Sequence, residues 1–170
     1  MPLTRFPDHE DKRVFLSTVL SFNLPPADSA HSDRLSIAVF WVDQGSPSAA
    51  ELTPDFATDL LEHGALGIVC GGSAAEEVGA LFEQAIEEGE FVRDEGEEIG
   101  IWVLPEATPE ELLWSAAEEA MLPDIFADQP WDIVVWARSG DPALPRLRQV
   151  LPRLTDVIDE IYELGGEEDG

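Results

Sequence analysis

The sequence predicts an α/β fold: a three-layer sandwich on a mainly parallel sheet of four or five strands, Rossmann-like or flavodoxin-like. Three observations carry this expectation. Apolar runs and amphipathic stretches alternate from residue 35 onward. The runs read as strands covered on both faces, the mark of a parallel sheet. The amphipathic stretches open on helix-start signals and most close on glycine.

The first strand is predicted over Leu35–Val42, followed by Thr53-Pro54-Asp55, an N-cap with proline at the first helical position. This helix runs to about Glu62 and stops at Gly64. The second strand is Ala65–Cys70, with Gly71-Gly72 as its turn and Ser73-Ala74-Ala75-Glu76 as a capping box. Val78, Leu81, Phe82, Ala85 and Ile86 then recur at helical spacing until Gly89. Ile99–Leu104 is the third strand. Thr108-Pro109-Glu110-Glu111 opens a helix whose buried stripe is Leu112, Leu113, Ala116, Ala117 and Ala120. The fourth strand is Trp131–Ala137. Asp141-Pro142 opens the last helix, Pro152 kinks it by removing a backbone donor, and Gly165-Gly166 ends it.

Residues 35–166 thus read as one α/β domain, and 167–170 as a frayed acidic tail. Residues 1–34 read as an N-terminal arm. Within it, Lys12–Phe22 is expected as an added edge strand rather than a helix, because β-branched and aromatic residues are frequent and no cap precedes it. Asn23–Asp33 and Glu87–Glu98 read as loops, the second a candidate for disorder.

Charge narrows the function classes. The chain carries 36 acidic residues against nine basic ones, a formal charge of -27, and Lys12 is its single lysine. Such a polyanion repels phosphate backbones and anionic membranes, so neither direct nucleic-acid binding nor membrane binding is expected. The acidity fits either a saline host or general solubility on one side, or a basic protein partner on the other. The N-terminal residues have no secretory pattern, no stretch approaches the roughly 20 apolar residues of a membrane span, and Cys70 is the single cysteine. A cytoplasmic protein is expected.

Several chemistries are excluded by what the sequence lacks. No Gly-Lys-Ser/Thr phosphate loop, no Gly-x-Gly-x-x-Gly and no Gly-x-Ser-x-Gly is present. Lys12 is misplaced for a phospho-acceptor domain, and Asp43-Gln44-Gly45-Ser46 lacks the second aspartate of the related phosphatases. His9, His31 and His63 do not neighbour other histidines or cysteines at metal-ligand spacing, and His63 beside Gly64 reads as a helix cap. No metal or cofactor is expected.

What remains is the carboxyl end of the sheet, where open α/β sheets bind ligands. Four turns bring Asp43 and Ser46; Cys70, Gly71, Gly72 and Ser73; Glu106 and Thr108; and Arg138, Ser139 and Asp141. The Cys70–Ser73 turn admits two readings. It is a tight strand-to-helix turn with an inert cysteine, or an anion site with a thiol made reactive by the helix N-terminus. Arg138 beside Asp141 is likewise either an ion pair or an anion-recognition group. Trp41 and Trp136 lie near strand ends and flank this mouth.

The stretch Pro109-Glu110-Glu111-Leu112-Leu113-Trp114-Ser115-Ala116, continuing to Pro123, resembles an uncharacterised bacterial domain-of-unknown-function family. In that family a strand and an acidic loop lead into Glu-Glu-hydrophobic-hydrophobic-Trp-x-Ala. The resemblance covers roughly residues 35 to 139 and implies the same α/β fold with no established activity. Where relatives carry histidine and cysteine, this chain has Leu104 or Pro105, Glu118 and Glu119. The expected function is a non-enzymatic acidic binding or regulatory protein, such as an immunity, inhibitor or defence-associated accessory. The alternatives are a small-molecule-binding or thiol-dependent enzyme using the Cys70 turn, and a salt-adapted domain without a charge-directed partner.

Overall fold

The computed structural model describes residues 3–23, 31–89, 99–126 and 128–168, with side chains to residue 163. Strands β1 (Leu3–His9), β2 (Lys12–Val19), β3 (Leu35–Trp41), β4 (Ala65–Gly71), β5 (Gly100–Leu104) and β6 (Trp131–Arg138) form one sheet in the order β1-β2-β6-β3-β4-β5. β1 pairs antiparallel with β2, and every other pairing is parallel. The fold is therefore α/β and mostly parallel, but with six strands rather than the four or five expected. The surplus comes from residues before 20. β2 is not an edge: it lies inside the sheet, in register with β6 from Arg13↔Asp132 to Val19↔Arg138. β1 takes the edge, where its charged residues and Pro7 remain compatible with one-sided pairing.

Successive residues of the inner strands face opposite layers. Ile37 and Val39 of β3, with Ile133 and Val135 of β6, pack on Leu112, Leu113, Leu147, Leu151 and Leu154. These belong to α4 (Pro109–Trp114), α5 (Leu144–Val150) and α6 (Leu154–Glu168), with Leu151 in the turn between the last two. Ala38 and Phe40, Ile68 and Cys70, and Val134 and Trp136 pack on Phe56, Leu60, Val78 and Phe82. These belong to α2 (Pro54–Glu62) and α3 (Ala75–Glu88). A short α1 (Pro47–Glu51) precedes α2.

Most end signals act as read. Thr53 accepts a hydrogen bond from the Phe56 amide, and Thr108 with Glu111 forms a full capping box. Gly64 takes φ +93, the left-handed conformation that glycine adopts without strain. Pro152 turns Leu151–Arg153 into a 3-10 turn between α5 and α6. Four expectations fail locally. α3 is capped at Ala74 without a side-chain bond, because Ser73 is engaged elsewhere. The last helix opens at Leu144, not at Asp141-Pro142, whose carboxylate is held by Ser48 and the Ala143 amide. Gly165-Gly166 lie within α6, which reaches Glu168, since main-chain bonding passes through glycine at a cost of about 1 kcal/mol each. Glu87 and Glu88 likewise belong to α3, while 90–98 and most of the 23–33 loop lie outside the described residues.

One charge pair sits inside the sheet. Asp132 is fully buried, and Arg13 on the neighbouring strand grips it at 2.9 Å (Nε to Oδ1) and 2.7 Å (Nη2 to Oδ2). The hydrogen bond to Asp132 is the main cause that raises the arginine's pKa above its ordinary range. Removing one partner of such a pair strands the other charge. Arg13→Met is expected to lower unfolding stability in urea by about 3 kcal/mol or more, and Arg13→Met with Asp132→Leu to recover most of it. A double variant as unstable as the single one would contradict this account.

Candidate functional site

β3 leads into α1 and α2 on one face, and its neighbour β6 leads into α5 and α6 on the other. The crevice between their carboxyl ends is where a ligand would enter such a sheet. Here α1 spans it. Ser46 caps α1, accepting from the Ala49 amide at 3.2 Å and donating to the Asp43 carbonyl at 2.6 Å. Ser48, fully buried, donates to Asp141 Oδ2 at 2.7 Å. Arg138 Nε donates to Glu51 Oε2 at 2.7 Å, and this guanidinium holds the Glu51 carboxyl below the usual carboxylate range. The expected Arg138 partner, Asp141, is instead the partner of Ser48. α1 thus ties the end of β6 to the segment after β3, and its polar groups are matched to one another.

The Gly71-Gly72-Ser73 turn is closed in a similar way. The Ser73 amide donates to Asp43 Oδ1 at 3.0 Å, and the Ala74 amide to the Val42 carbonyl at 2.9 Å. Ser73 Oγ accepts from the Gln44 amide at 2.8 Å, and Trp41 Nε1 donates to Asp43 Oδ2 at 3.2 Å. The chain's own carboxylate, Asp43, therefore occupies the place expected for an anion. The glycines serve this self-contact. Gly72 has φ +89, and a Cβ there would lie 2.3 Å from the Val42 carbonyl oxygen. A Cβ on Gly71 would lie 2.9 Å from both Leu112 methyls.

Cys70 does not join these groups. Its side chain points into the α2–α3 core, fully buried, and burial pushes the thiol up to about 12. The shift is opposite to the one a helix N-terminus would cause. The geometry brings Asp43, Gly71, Gly72 and Ser73 together, and sets Arg138 and Asp141 beside them across α1. Glu106 is exposed in the turn after edge strand β5 and takes no part in these hydrogen bonds, while Thr108 is spent on its cap. Trp136 is core, with a ring centroid 5.6 Å from that of Phe56.

Sequence reasoning missed Ser48 and Glu51. Their signal was present in Ser46-Pro47, the same cap-and-proline start that marks Thr53-Pro54 and Thr108-Pro109. It also passed over the pairing of histidines with carboxylates. His9, almost fully buried, meets Glu118 Oε1 at 3.0 Å and Thr155 Oγ1 at 3.1 Å. His31 meets Asp59 Oδ2 at 3.1 Å, and Asp59 lies one helical turn before His63.

The surface divides unevenly. α2 and α3 present Asp55, Glu62, Glu76, Glu77, Glu83, Glu87 and Glu88 to solvent and contain no lysine or arginine. The opposite layer mixes signs: Arg146 pairs with Glu110, and Arg153 lies 3.6 Å from Glu160. Among the described residues, no helix is long and apolar enough to cross a membrane. No family model, curated protein or solved structure matches this chain.

The buried thiol gives a direct check. Cys70 is expected to resist a thiol reagent at neutral pH in the native protein and to react at once after denaturation. Its folded pKa lies above the ordinary value of 9.0, so its stabilising effect is complete below that pH and is lost as pH rises towards about 12. Cys70→Ala should remove part of this alkaline destabilisation. Rapid labelling of the native chain would contradict the burial.

Proposed function

We propose that this is a non-enzymatic acidic binding or regulatory protein that docks a basic protein partner on its α2–α3 layer, in an immunity, inhibitor or accessory role. The observation that carries the reading is the one-sided absence of cations. The exposed faces of α2 and α3 hold seven carboxylates without an arginine or lysine in either helix, whereas in the opposite layer Arg146 pairs with Glu110 and Arg153 lies 3.6 Å from Glu160. Carboxylates on a helix pair that contains no arginine or lysine set up a negative field, which steers a basic partner and fixes its orientation.

The closed carboxyl edge supports the same reading. Asp43 and Asp141 are satisfied within the chain, and Cys70 is buried, so the thiol-dependent alternative lacks an accessible nucleophile. Partner binding of this type depends on salt, because exposed charges are screened beyond roughly 8 Å at physiological ionic strength.

The test uses charge reversal in two variants of equal net charge. Glu83→Lys/Glu87→Lys/Glu88→Lys alters the last turns of α3, where lysine suits the helix dipole. Glu119→Lys/Asp159→Lys/Glu163→Lys alters the other layer equally. Basic proteins captured from the native host at low ionic strength should bind the first variant at least about tenfold more weakly and the second like the parent. Equal weakening by both variants would mean attraction by net charge alone, and no capture would remove the proposal.

A further inference from the structure

We infer that His31, Asp59 and His63 form a binding site for one first-row transition-metal dication, of which Zn²⁺ is the simplest probe. The inference is independent of partner docking. Asp59 and His63 are four residues apart at the end of α2 and so share a helix face. The segment before β3 brings His31 onto that face. One donor atom from each of the three residues lies within 4.8 Å of the other two.

The closest edge already has the length of a ligand-to-ligand edge. His31 Nε2 and Asp59 Oδ2 are 3.1 Å apart. A tetrahedral ion with ligands at about 2.0–2.1 Å sets them about 3.3 Å from one another. His63 is oriented from behind: its Nδ1 donates to the Asp59 carbonyl at 2.8 Å. That bond selects the tautomer with the lone pair on Nε2, and a backbone carbonyl is a usual orienting partner of metal-ligating imidazoles. The two imidazoles now stack, with centroids 3.8 Å apart and planes within 6°. Stacked rings aim their lone pairs side by side, so one ring must turn to converge on an ion. His63 is the more exposed ring, its side chain one-third accessible against 6% for His31.

An entry path is present. His63 lines a concavity of about 520 Å³ at the amino ends of β3, β4 and β6, together with Ser32, Arg34 and Glu62. Water in that space completes the coordination. Two imidazoles and one carboxylate favour the later first-row dications over the oxygen-seeking Mg²⁺ and Ca²⁺. On uptake the ion takes the place of the proton on His31 Nε2: a neutral ring then carries its proton on Nδ1, and an imidazolium releases one proton to solvent. The other histidine cluster is less suited, because Lys12 Nζ lies 3.9 Å from Glu10 and opposes a second cation there.

The full chain is titrated with Co²⁺ by visible absorption, then with Zn²⁺ in competition, in excess Mg²⁺. One high-affinity site that Mg²⁺ does not displace is expected, weakened at least about tenfold in His63→Gln and in His31→Gln. The surface variant Glu119→Gln/Asp159→Asn/Glu163→Gln on the opposite layer should bind the metal like the parent. Displacement by Mg²⁺, or unchanged affinity in His63→Gln, would overturn the site. Should His31→Gln fail to fold, imidazole nitrogen resonances of the parent decide. Zn²⁺ must shift those of His31 and His63 and leave His9 in place, and a shift confined to His9 would refute the assignment.

Discussion

The hydrogen bond from Ser48 to Asp141 is the contact on which the reading of this fold depends. A parallel sheet gathers its strand ends and their polar turns at one edge, and a carboxylate buried there is costly unless it is bonded. Asp141 solves this by accepting from Ser48 at 2.7 Å and from the Ala143 amide at 3.3 Å. Ser48 can reach it because α1 is laid across the ends of β6 and β3. The same helix offers Glu51 to Arg138. A five-residue helix thereby turns the usual ligand-binding crevice of an α/β sheet into a structural joint.

The consequence for function is spatial. Asp43 is spent on Ser73 and Trp41, Asp141 on Ser48 and Arg138 on Glu51, which leaves Glu106 as the candidate carboxylate outside these hydrogen bonds. The surplus charge lies on the outside. In the α4–α6 layer Arg146 and Arg153 answer part of it, whereas α2 and α3 contain no arginine or lysine. The deepest charge pair, Arg13 with Asp132, is matched inside the sheet, while the acids of α2 and α3 face solvent.

Much of the fold was legible because it rests on local rules. The apolar runs at Leu35–Val42 and Trp131–Ala137 and the caps at Thr53 and Thr108 need only neighbouring residues to be recognised. β1 was not legible, since Leu3–His9 contains proline and charges and becomes a strand by pairing with β2. Ser73 misled for a related reason: it has the sequence of a cap, but Gln44 and Asp43, thirty residues away, compete for its hydroxyl and amide. The direction of Cys70 was within reach, because it shares the parity of Ile68 and so faces the same layer. The meeting of His31 with Asp59 and His63 was not, as it requires the fold to bring the segment before β3 against α2.

The most direct measurement of the central claim is an amide chemical-shift map of the chain during titration with its captured basic partner. The account predicts that shifts gather on the exposed positions of α2 and α3, Asp55, Glu62, Glu76, Glu83 and Glu87 among them, and that Ser46–Glu51, Gly71–Ser73 and Arg138–Asp141 stay in place. Shifts centred on those three carboxyl-edge segments would place the working surface at the mouth that α1 closes, and would contradict the account.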